Sequence, residues 1–593
     1  MDVLQRVLPG LEWLKGYNRK LLAQDGLASL VTAILLIPQS LAYALLAGLP
    51  PQAGLYASIA PLVAYALFGS SRVLAVGPVA VVSLMTAAAI GSLGLTDTAQ
   101  ITAAAGALAL LSSAFLLLFG VFRLGSVANF LSRPVIEAFI TASTILIIGS
   151  QLRHFIGTDM HGATVPELLV SLIRNFEGVN YTALTVGLAS LAFLLSARSL
   201  LPTALKRLGL NEVSISAITR AAPAMLVAVA ALSAWGFGLH DRAGLAIVGA
   251  LPSGLPPLAF PLVPLETWRA LIGPAALISL VGFVESVSVG QSLAARRRET
   301  INPNRELLGL GAANAASAFT GGYPVTGGFA RSVVNESAGA ETPIAGVFTA
   351  IIILLVAAFL TPIFYHLPKA ALAATILAAI WRMANFHDAW HAWKYSHADG
   401  AAAFLTLTGV LFLGVEVGLT LGVTLSVGLV LQRTMRPHWA EVGQVPNSHH
   451  FRNIHRHEVV CSPHVVALRI DEALYFANAR FLEDLASQII ARESRPSDLV
   501  LLFTAVNFVD ASALGSLRVI NHRLTDAGVR PHISAATRPI AHTLTEAGPF
   551  NDLTGDVFLS PYPAIPTLDP EPTLNAAGLP YPLTTTSSPP PQT

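Results

Sequence analysis

The sequence predicts an α-helical polytopic membrane protein with fourteen transmembrane segments arranged as a seven-plus-seven inverted repeat, followed by a small cytoplasmic α/β domain. Three observations carry this expectation. Hydrophobic residues make up 53% of the 593 positions and charged residues only 12%, where a soluble globular chain carries about 25% charge; mean hydropathy is +0.63. The apolar positions gather into fourteen segments, and the third and tenth, each third in its group of seven, are short and follow a glycine/proline break. After Arg436 the chain turns polar and then alternates between strand and helix patterns.

Residues 1–27 are polar and lack a cleavable signal pattern, so they read as a cytoplasmic N-terminal segment, with the first apolar segment as the insertion signal. The apolar segments fall near 28–47, 53–68, 74–91, 101–120, 135–151, 181–197, 221–238, 271–292, 306–320, 326–337, 344–362, 370–383, 401–414 and 416–432. They make up a membrane domain of 28–436 with repeats of about 28–238 and 271–432. A full span needs about 20 residues, and the third and tenth segments offer only about 12 to 15, which marks them as half-helices.

Basic residues in the short connections set the polarity. With both termini cytoplasmic, Lys20, Arg72, Arg123, Arg133, Lys206, Arg207, Arg296, Arg297, Arg298 and Arg305 share one side. The other side collects few, among them Arg153, Arg174, Arg242, Arg269 and Lys369. Twelve spans plus two re-entrant segments would give the same polarity. A repeat with an odd number of spans inserts upside down relative to its predecessor, so the two half-helices meet head to head near the membrane midplane.

Beyond the membrane domain, residues 437–460 read as a polar, histidine-bearing linker. In 461–560, Val465–Ile470 and Leu499–Phe503 read as buried strands, whereas Ala479–Arg492 and Ser512–Leu524 have helical spacing. The Pro/Ser/Thr-rich tail 561–593 is expected to be disordered. Net charge of +1 gives no basis for a nucleic-acid partner, and Cys461, the sole cysteine, allows neither an intramolecular disulfide nor a cysteine-built metal site. The histidines lack ligand spacing, and no nucleophile–base set suggests an enzyme.

Candidate site residues cluster at the two breaks. In Gly77-Pro78-Val79-Ala80-Val81 a proline opens the helix, where its missing N–H costs nothing, and the free amides of Val79, Ala80 and Val81 carry the positive end of a helix dipole. Such an end takes an anion readily, although this stretch alone is equally consistent with a Pro-kinked transmembrane helix. In Gly321–Asn335, Gly327 and Gly328 permit close backbone approach, and Phe329, Ala330 and Arg331 offer amides to the same focus. Arg331 adds a charge that is not lost by deprotonation; the plainer alternative is an arginine snorkelling to the interface or bound to a structural carboxylate.

Glu285, in the middle of the eighth segment, is a candidate proton carrier, because an ionised carboxylate there bears a desolvation cost; the alternative is a fixed partner for Arg331. Gln39 and Tyr43, four apart behind Pro38, share a helix face and supply donors, unless they serve only helix packing. Glu137 and Glu416 lie nearer segment ends and read as packing or interface carboxylates. In the soluble domain Asp510 or Ser512 caps a helix, with a regulatory anion or phosphorylation site as the second reading.

These stretches resemble the SulP family of sulfate-permease-like anion transporters that end in a STAS domain. The matching runs are Pro38-Gln39-Ser40-Leu41-Ala42-Tyr43-Ala44-Leu45-Leu46-Ala47-Gly48-Leu49-Pro50-Pro51, Gly54-Leu55-Tyr56-Ala57-Ser58, Tyr65-Ala66-Leu67-Phe68-Gly69-Ser70-Ser71-Arg72, Gly77-Pro78-Val79-Ala80 and Ala330-Arg331-Ser332-Val333-Val334-Asn335. The resemblance covers the chain from about Leu8 to Leu559. It implies a mobile core of segments 1–4 and 8–11, a gate of 5–7 and 12–14, elevator-like alternating access, and a homodimer with STAS contacts in the cell membrane. It also implies an anion site at Gln39, Tyr43, Val79, Ala80, Glu285, Phe329, Ala330 and Arg331.

By the same resemblance, no cofactor is expected, a glutamate at 285 matches the proton-coupled sulfate branch, and sodium coupling remains the alternative. Family members that carry sulfate usually have Gly-Ser-Phe-Ser-Arg-Ser where this chain has Gly327-Gly328-Phe329-Ala330-Arg331-Ser332. The two missing hydroxyls weaken the sulfate assignment and favour a dicarboxylate or another oxyanion, so a bicarbonate or fumarate-like dicarboxylate transporter is the alternative to sulfate. A passive anion channel or exchanger and a nucleobase symporter of the same plan are the remaining alternatives; Arg331 and the STAS-like domain argue against the last.

Overall fold

The computed structural model describes residues 16–126, 132–197, 222–250, 254–381, 386–446, 448–546 and 552–570, together with Trp13 and residues 200–207, 209, 215, 218–219 and 383–384. The chain separates into two units, Met1–Val427 and Gly428–Thr593.

The first unit is helical. Its first seven expected segments appear as α1 (Arg19–Leu46), the broken pair α2 (Pro51–Tyr56) and α3 (Ala60–Phe68), the strand–helix unit β1 (Val76–Gly77) and α4 (Ala80–Gly91), α5 (Thr98–Val121), α6 (Arg133–Ile156), α8 (Tyr181–Ala197) and α10 (Ala222–Gly236). Between these lie α7 (Val165–Arg174) and α9 (Leu200–Arg207), and α11 (Leu239–Ala243) follows α10. The second seven are α12 (Leu265–Arg297), α13 (Pro303–Phe319), β2 (Thr326–Gly327) with α14 (Phe329–Ser337), α15 (Ile344–Leu355), α16 (Lys369–Ile380), α18 (His397–Leu413) and α19 (Val415–Met435), with α17 (Phe386–Tyr395) lying between α16 and α18.

Six helices among the described residues are long and apolar enough to cross a membrane alone, and four shorter apolar helices accompany them. The α15 span reaches its length, Ile344–Phe364, by continuing through a π turn and a 3₁₀ turn. The sequence reading passed over α7, where Thr164 caps the start and the exposed Leu169, Val170 and Ile173 give an apolar stripe on a short polar-flanked segment.

Small residues decide how closely the helices pack. A Cβ at Gly311 of α13 would stand 2.7 Å from Leu117, and one at Gly120 of α5 would stand 2.7 Å from Leu308, so these glycines let α5 and α13 touch along their length. Polar groups fix the ends. Glu306, buried at the start of α13, accepts from Tyr65 Oη (2.8 Å), Ser70 N (2.9 Å), Ser70 Oγ (2.6 Å) and Ser71 N (3.1 Å), which ties α13 to the loop entering β1. Asp25, equally buried in α1, accepts from Glu341 N (2.8 Å), Thr342 N (3.2 Å) and Thr342 Oγ1 (2.6 Å).

The second unit is built on a six-stranded sheet of order β4-β3-β5-β6-β7-β8, from β3 (Trp439–Gln444), β4 (Phe451–Asn453), β5 (Val465–Ile470), β6 (Asp498–Leu502), β7 (Arg530–Ser534) and β8 (Val557–Phe558). Strands β5 to β8 run parallel, and β3 pairs antiparallel with β4 and β5. Crossover helices α20 (Ala479–Ile490), α21 (Ala511–Asp526) and α22 (Arg538–Glu546) cover one face, packing Leu482, Leu517 and Leu544 on Leu468, Leu501 and Ile533. Two expectations are corrected here. Residues 439–444, read as linker, form a sheet strand that buries Ala440 and Val442. Pro561–Leu568, read as the start of a disordered tail, forms α23, whose Ala564 and Ile565 cover the other face against Val500 and Leu502. Residues 571–593 of that expected tail lie outside the described residues.

Candidate functional site between two opposed helix starts

The site begins with two very short strands. β1 and β2 pair antiparallel, Val76 opposite Gly327 and Gly77 opposite Thr326. Since α4 starts at Ala80 and α14 at Phe329, this pairing sets the two helix N-termini against each other. At each start the first-turn amides have no intrahelical acceptor, so two positive dipole ends share one focus.

Side chains from three helices hold the strands in place. Asn314 of α13 accepts from Val325 N (2.9 Å) and donates to Val325 O (2.9 Å), copying a strand partner. Ser286 of α12 accepts from Gly327 N (2.8 Å), and Thr326 Oγ1 donates to Gly282 O (2.5 Å). Ser332 of α14 accepts from Ala75 N (3.0 Å), and Asn335 donates to Val73 O (3.0 Å). Ser332 and Asn335 lie in a run that carries the family resemblance but were given no role from sequence, and Asn314, Ser286 and Thr326 were not singled out; the available signal was polar residues within membrane segments.

Arg331 is buried at the centre. Its Nη2 donates to Gly77 O at 2.8 Å and also to Pro78 O, so the guanidinium bridges from α14 to the chain entering α4. Two glycines leave room for it: a Cβ at Gly77 would lie 2.4 Å from Arg331 Nη1, and one at Gly328 would lie 2.5 Å from Nε and 3.0 Å from Val79 Cγ1. The snorkelling alternative is thereby removed. Tyr43, Glu285 and Tyr323 all lie within electrostatic reach of Arg331, but no ion pair joins Glu285 to it among the described residues. Glu285 Oε2 is instead buried without a hydrogen-bond partner, next to a small cavity.

The structure therefore brings together Tyr43, Val79, Ala80, Glu285, Phe329 and Arg331, with the Ala330 backbone between the last two. Val79 is the N-cap of α4, so the first-turn amides belong to Ala80, Val81 and Val82. Phe329 is 50% exposed while Gly328 and Arg331 on either side of it are buried. Gln39 lies one turn before Tyr43 on α1, and neither side chain has a hydrogen-bond partner among the described residues. Asp510 and Ser512 belong to the other unit. Asp510 caps α21 by accepting from Ala513 N (2.8 Å) and also takes Phe476 N (2.8 Å), whereas Ser512 is exposed.

Opposed half-helices in an inverted-repeat helical unit, followed by an α/β sheet unit, define a membrane transporter rather than an enzyme. The sequence signature of the sulfate permease family matches residues 22–406 and that of the STAS domain residues 456–561, and the chain belongs to the sulfate permease family, a family of anion transporters. It is similar to the probable sulfate transporter 4.2 of Arabidopsis thaliana, 33% identical over 562 residues that cover 92% of this chain and 81% of the relative. It is also similar to a probable sulfate transporter of Mycobacterium tuberculosis, 34% identical over 523 residues that cover 88% and 90%. In fold it is similar to SLC26A9, with TM-score 0.86 at 22% identity over 97% of this chain and 94% of the other. The transmembrane domain of the cyanobacterial bicarbonate transporter BicA gives TM-score 0.56 at 21% identity over 70% and 99%.

Proposed function

We propose that the chain carries a small oxyanion, sulfate foremost, across the plasma or inner membrane by proton symport, with elevator-type movement of the core against the gate. The observation that carries this reading is the pairing of a fixed charge with a movable one. Arg331 stands between two helix N-termini, and Glu285, within its field, has a buried carboxyl oxygen with no hydrogen-bond partner among the described residues.

With Glu285 ionised, the pair is neutral and attracts an anion only through the helix ends. Protonation leaves Arg331 uncompensated, so anion affinity rises as the proton loads. Gln39 and Tyr43, which have no hydrogen-bond partners among the described residues, serve as further donors to the oxyanion. Both termini are cytoplasmic in this reading, and two copies associate with contacts through the STAS domain. The many sulfate transporters among its relatives favour sulfate. Ala330, which offers only its backbone amide where the family's sulfate carriers place a hydroxyl, keeps bicarbonate and dicarboxylates as the second reading.

Purified protein in liposomes tests this: radiolabelled sulfate enters under an inward proton gradient, and unlabelled bicarbonate and fumarate compete according to their share in the site. Absence of gradient-driven uptake of all three anions would sink the proposal. Uptake driven by sodium at constant pH would reassign the coupling ion.

A further inference from the structure

The seam between α1 and the helices α6 and α16 changes character along its length. Ile147 of α6 and Leu372, Ile376 and Ile380 of α16 pack with Leu36 and Leu41 of α1 in one buried apolar cluster. Helical spacing carries the same faces onward, through Gln151 to His154 on α6 and through Leu372 to Lys369 on α16. Both faces therefore run from hydrocarbon into basic side chains where α6 stops and α16 starts. Arg153, in the last turn of α6, donates from Nε to His154 Nε2 at 3.1 Å, and Arg153 and Lys369 both lie within electrostatic reach of that ring. An imidazole that accepts at Nε2 is uncharged, so Arg153 is held in place without being neutralised.

Arg153 and Lys369 are partly buried, and neither has a carboxylate within ion-pair distance among the described residues. Asp159, whose field reaches Arg153, is exposed and paired with His161 at 2.8 Å. Lys369 opens α16, whose first turn holds no acid, so its charge adds to the positive helix end instead of cancelling it. At the opposite end of α6, by contrast, Arg133 is paired with Glu137 at 2.7 Å. In the topology proposed above, the Arg153 end faces outward, where the positive-inside bias gives no reason for two cations to converge. We propose that Arg153 and Lys369 form an outer capture site for the transported oxyanion, holding it at the mouth of the seam before it reaches Arg331. The inference rests on the anion-transport reading and adds a second station that the opposed helix starts do not contain. A guanidinium fork and an ammonium point charge together suit a small oxyanion. Such a site concentrates the anion and steers its entry, so its loss weakens apparent affinity from outside and spares turnover.

Uptake of radiolabelled sulfate by cells that express the full chain and lack their own sulfate uptake preserves the sidedness the test needs. Arg153→Gln and Lys369→Gln are each expected to raise KM about threefold, and together about tenfold, with kcat within about twofold of wild type and a weaker dependence of KM on ionic strength. Arg153→Lys combined with Lys369→Arg is expected to restore most of the affinity. A double glutamine variant with wild-type KM overturns the proposal. So does a fall in kcat that the charge-conserving pair does not rescue, because that marks a structural role. Sulfate binding without transport separates this inference from the reading beneath it. In purified Arg331→Ala protein, sulfate is expected to raise Tm, and adding Arg153→Gln and Lys369→Gln is expected to abolish the shift. Equal shifts with and without the two cations overturn the capture site. If the wild type takes up none of sulfate, bicarbonate and fumarate while the cation-dependent shift persists, the transport reading fails and the outer anion site stands. Should Arg331→Ala not fold, the KM comparison decides.

Discussion

The two half-helix starts occupy equivalent places in the two repeats but are built from opposite chemistry. At the first, Pro78 and the extended N-cap Val79 (φ −130°, ψ 153°) lead into a 12-residue helix whose opening side chains are apolar. At the second, the N-cap Gly328 (φ −90°, ψ 135°) leads into a 9-residue helix with Arg331 in its first turn. The first contributes carbonyls, Gly77 O and Pro78 O, and the second contributes the cation that those carbonyls hold. The difference teaches that the charge belongs to neither repeat alone. Arg331 is a crosslink between them as much as a ligand, so the geometry of the anion site and the joint between the repeats are one structure.

Arg331→Ala tests that statement most severely. It removes the charge and leaves two buried carbonyls without their donor, so anion affinity is expected to fall by about a hundredfold or more, roughly 3 kcal/mol, as read by titration calorimetry. Arg331→Lys keeps the charge but not the planar fork, and is expected to recover only part of the loss. Wild-type affinity in the lysine variant would show that the bridge to Gly77 and Pro78 is dispensable and that charge alone matters.

The glycines sharpen the same comparison, because one from each repeat makes room for a single guanidinium. Gly77→Ala and Gly328→Ala each push a methyl against Arg331, and each is expected to cost about 2 kcal/mol in anion binding, a loss of tens of fold. If only one variant is impaired, the guanidinium leans on one repeat rather than bridging both.

The sequence made the frame of this site legible and left its supports hidden, for physical reasons. Apolar runs interrupted by glycine and proline report broken spans directly, since backbone without hydrogen bonds is tolerated in a membrane only around a site. The same logic exposed Arg331 and Glu285, whose presence in apolar segments is costly. Asn314, Ser286 and Ser332 were not legible, because a small polar residue in a membrane helix looks the same whether it bonds its own turn or a distant strand. Trp439–Gln444 was missed because its partner strand Val465–Ile470 follows only after a polar excursion. Pro561–Leu568 was missed because its prolines resemble those of the tail beyond it.

The STAS unit supplies the contrasting case, a buried charge with every partner in place. Asp498 accepts from Ser497 Oγ (2.6 Å), Arg530 Nη2 (2.9 Å) and His532 Nε2 (2.9 Å), while His532 Nδ1 accepts from Asp556 N (2.8 Å), which fixes the ring proton on Nε2. Burial pushes the Asp498 carboxyl up, but these three donors outweigh it and hold it below the usual carboxylate range. A depressed carboxylate stabilises the fold above its unfolded pKa, and that stability is lost as pH falls through the folded value. Asp498→Asn is therefore expected to destabilise the STAS unit by about 1 to 2 kcal/mol at neutral pH, with the deficit closing below about pH 4 in chemical denaturation. Anion affinity in the membrane unit stays unchanged if the site is confined to the opposed helices.

The smallest expected effect separates the two readings of the α21 start. Asp510 satisfies two backbone amides there, one of them the helix's own, so Asp510→Ala is expected to cost about 1 kcal/mol of STAS stability, the usual value of a lost N-cap. Ser512 is exposed and takes no part in the cap, so Ser512→Ala is expected to change stability by less than about 0.5 kcal/mol. A phosphate on Ser512 would sit in the first turn of α21, where the helix dipole favours negative charge, yet Asp510 already occupies the amide of Ala513. Ser512→Asp is accordingly expected to leave both STAS stability and gradient-driven uptake at wild-type levels. A change in uptake with no change in stability would make this serine a regulatory position and not merely a neighbour of the cap.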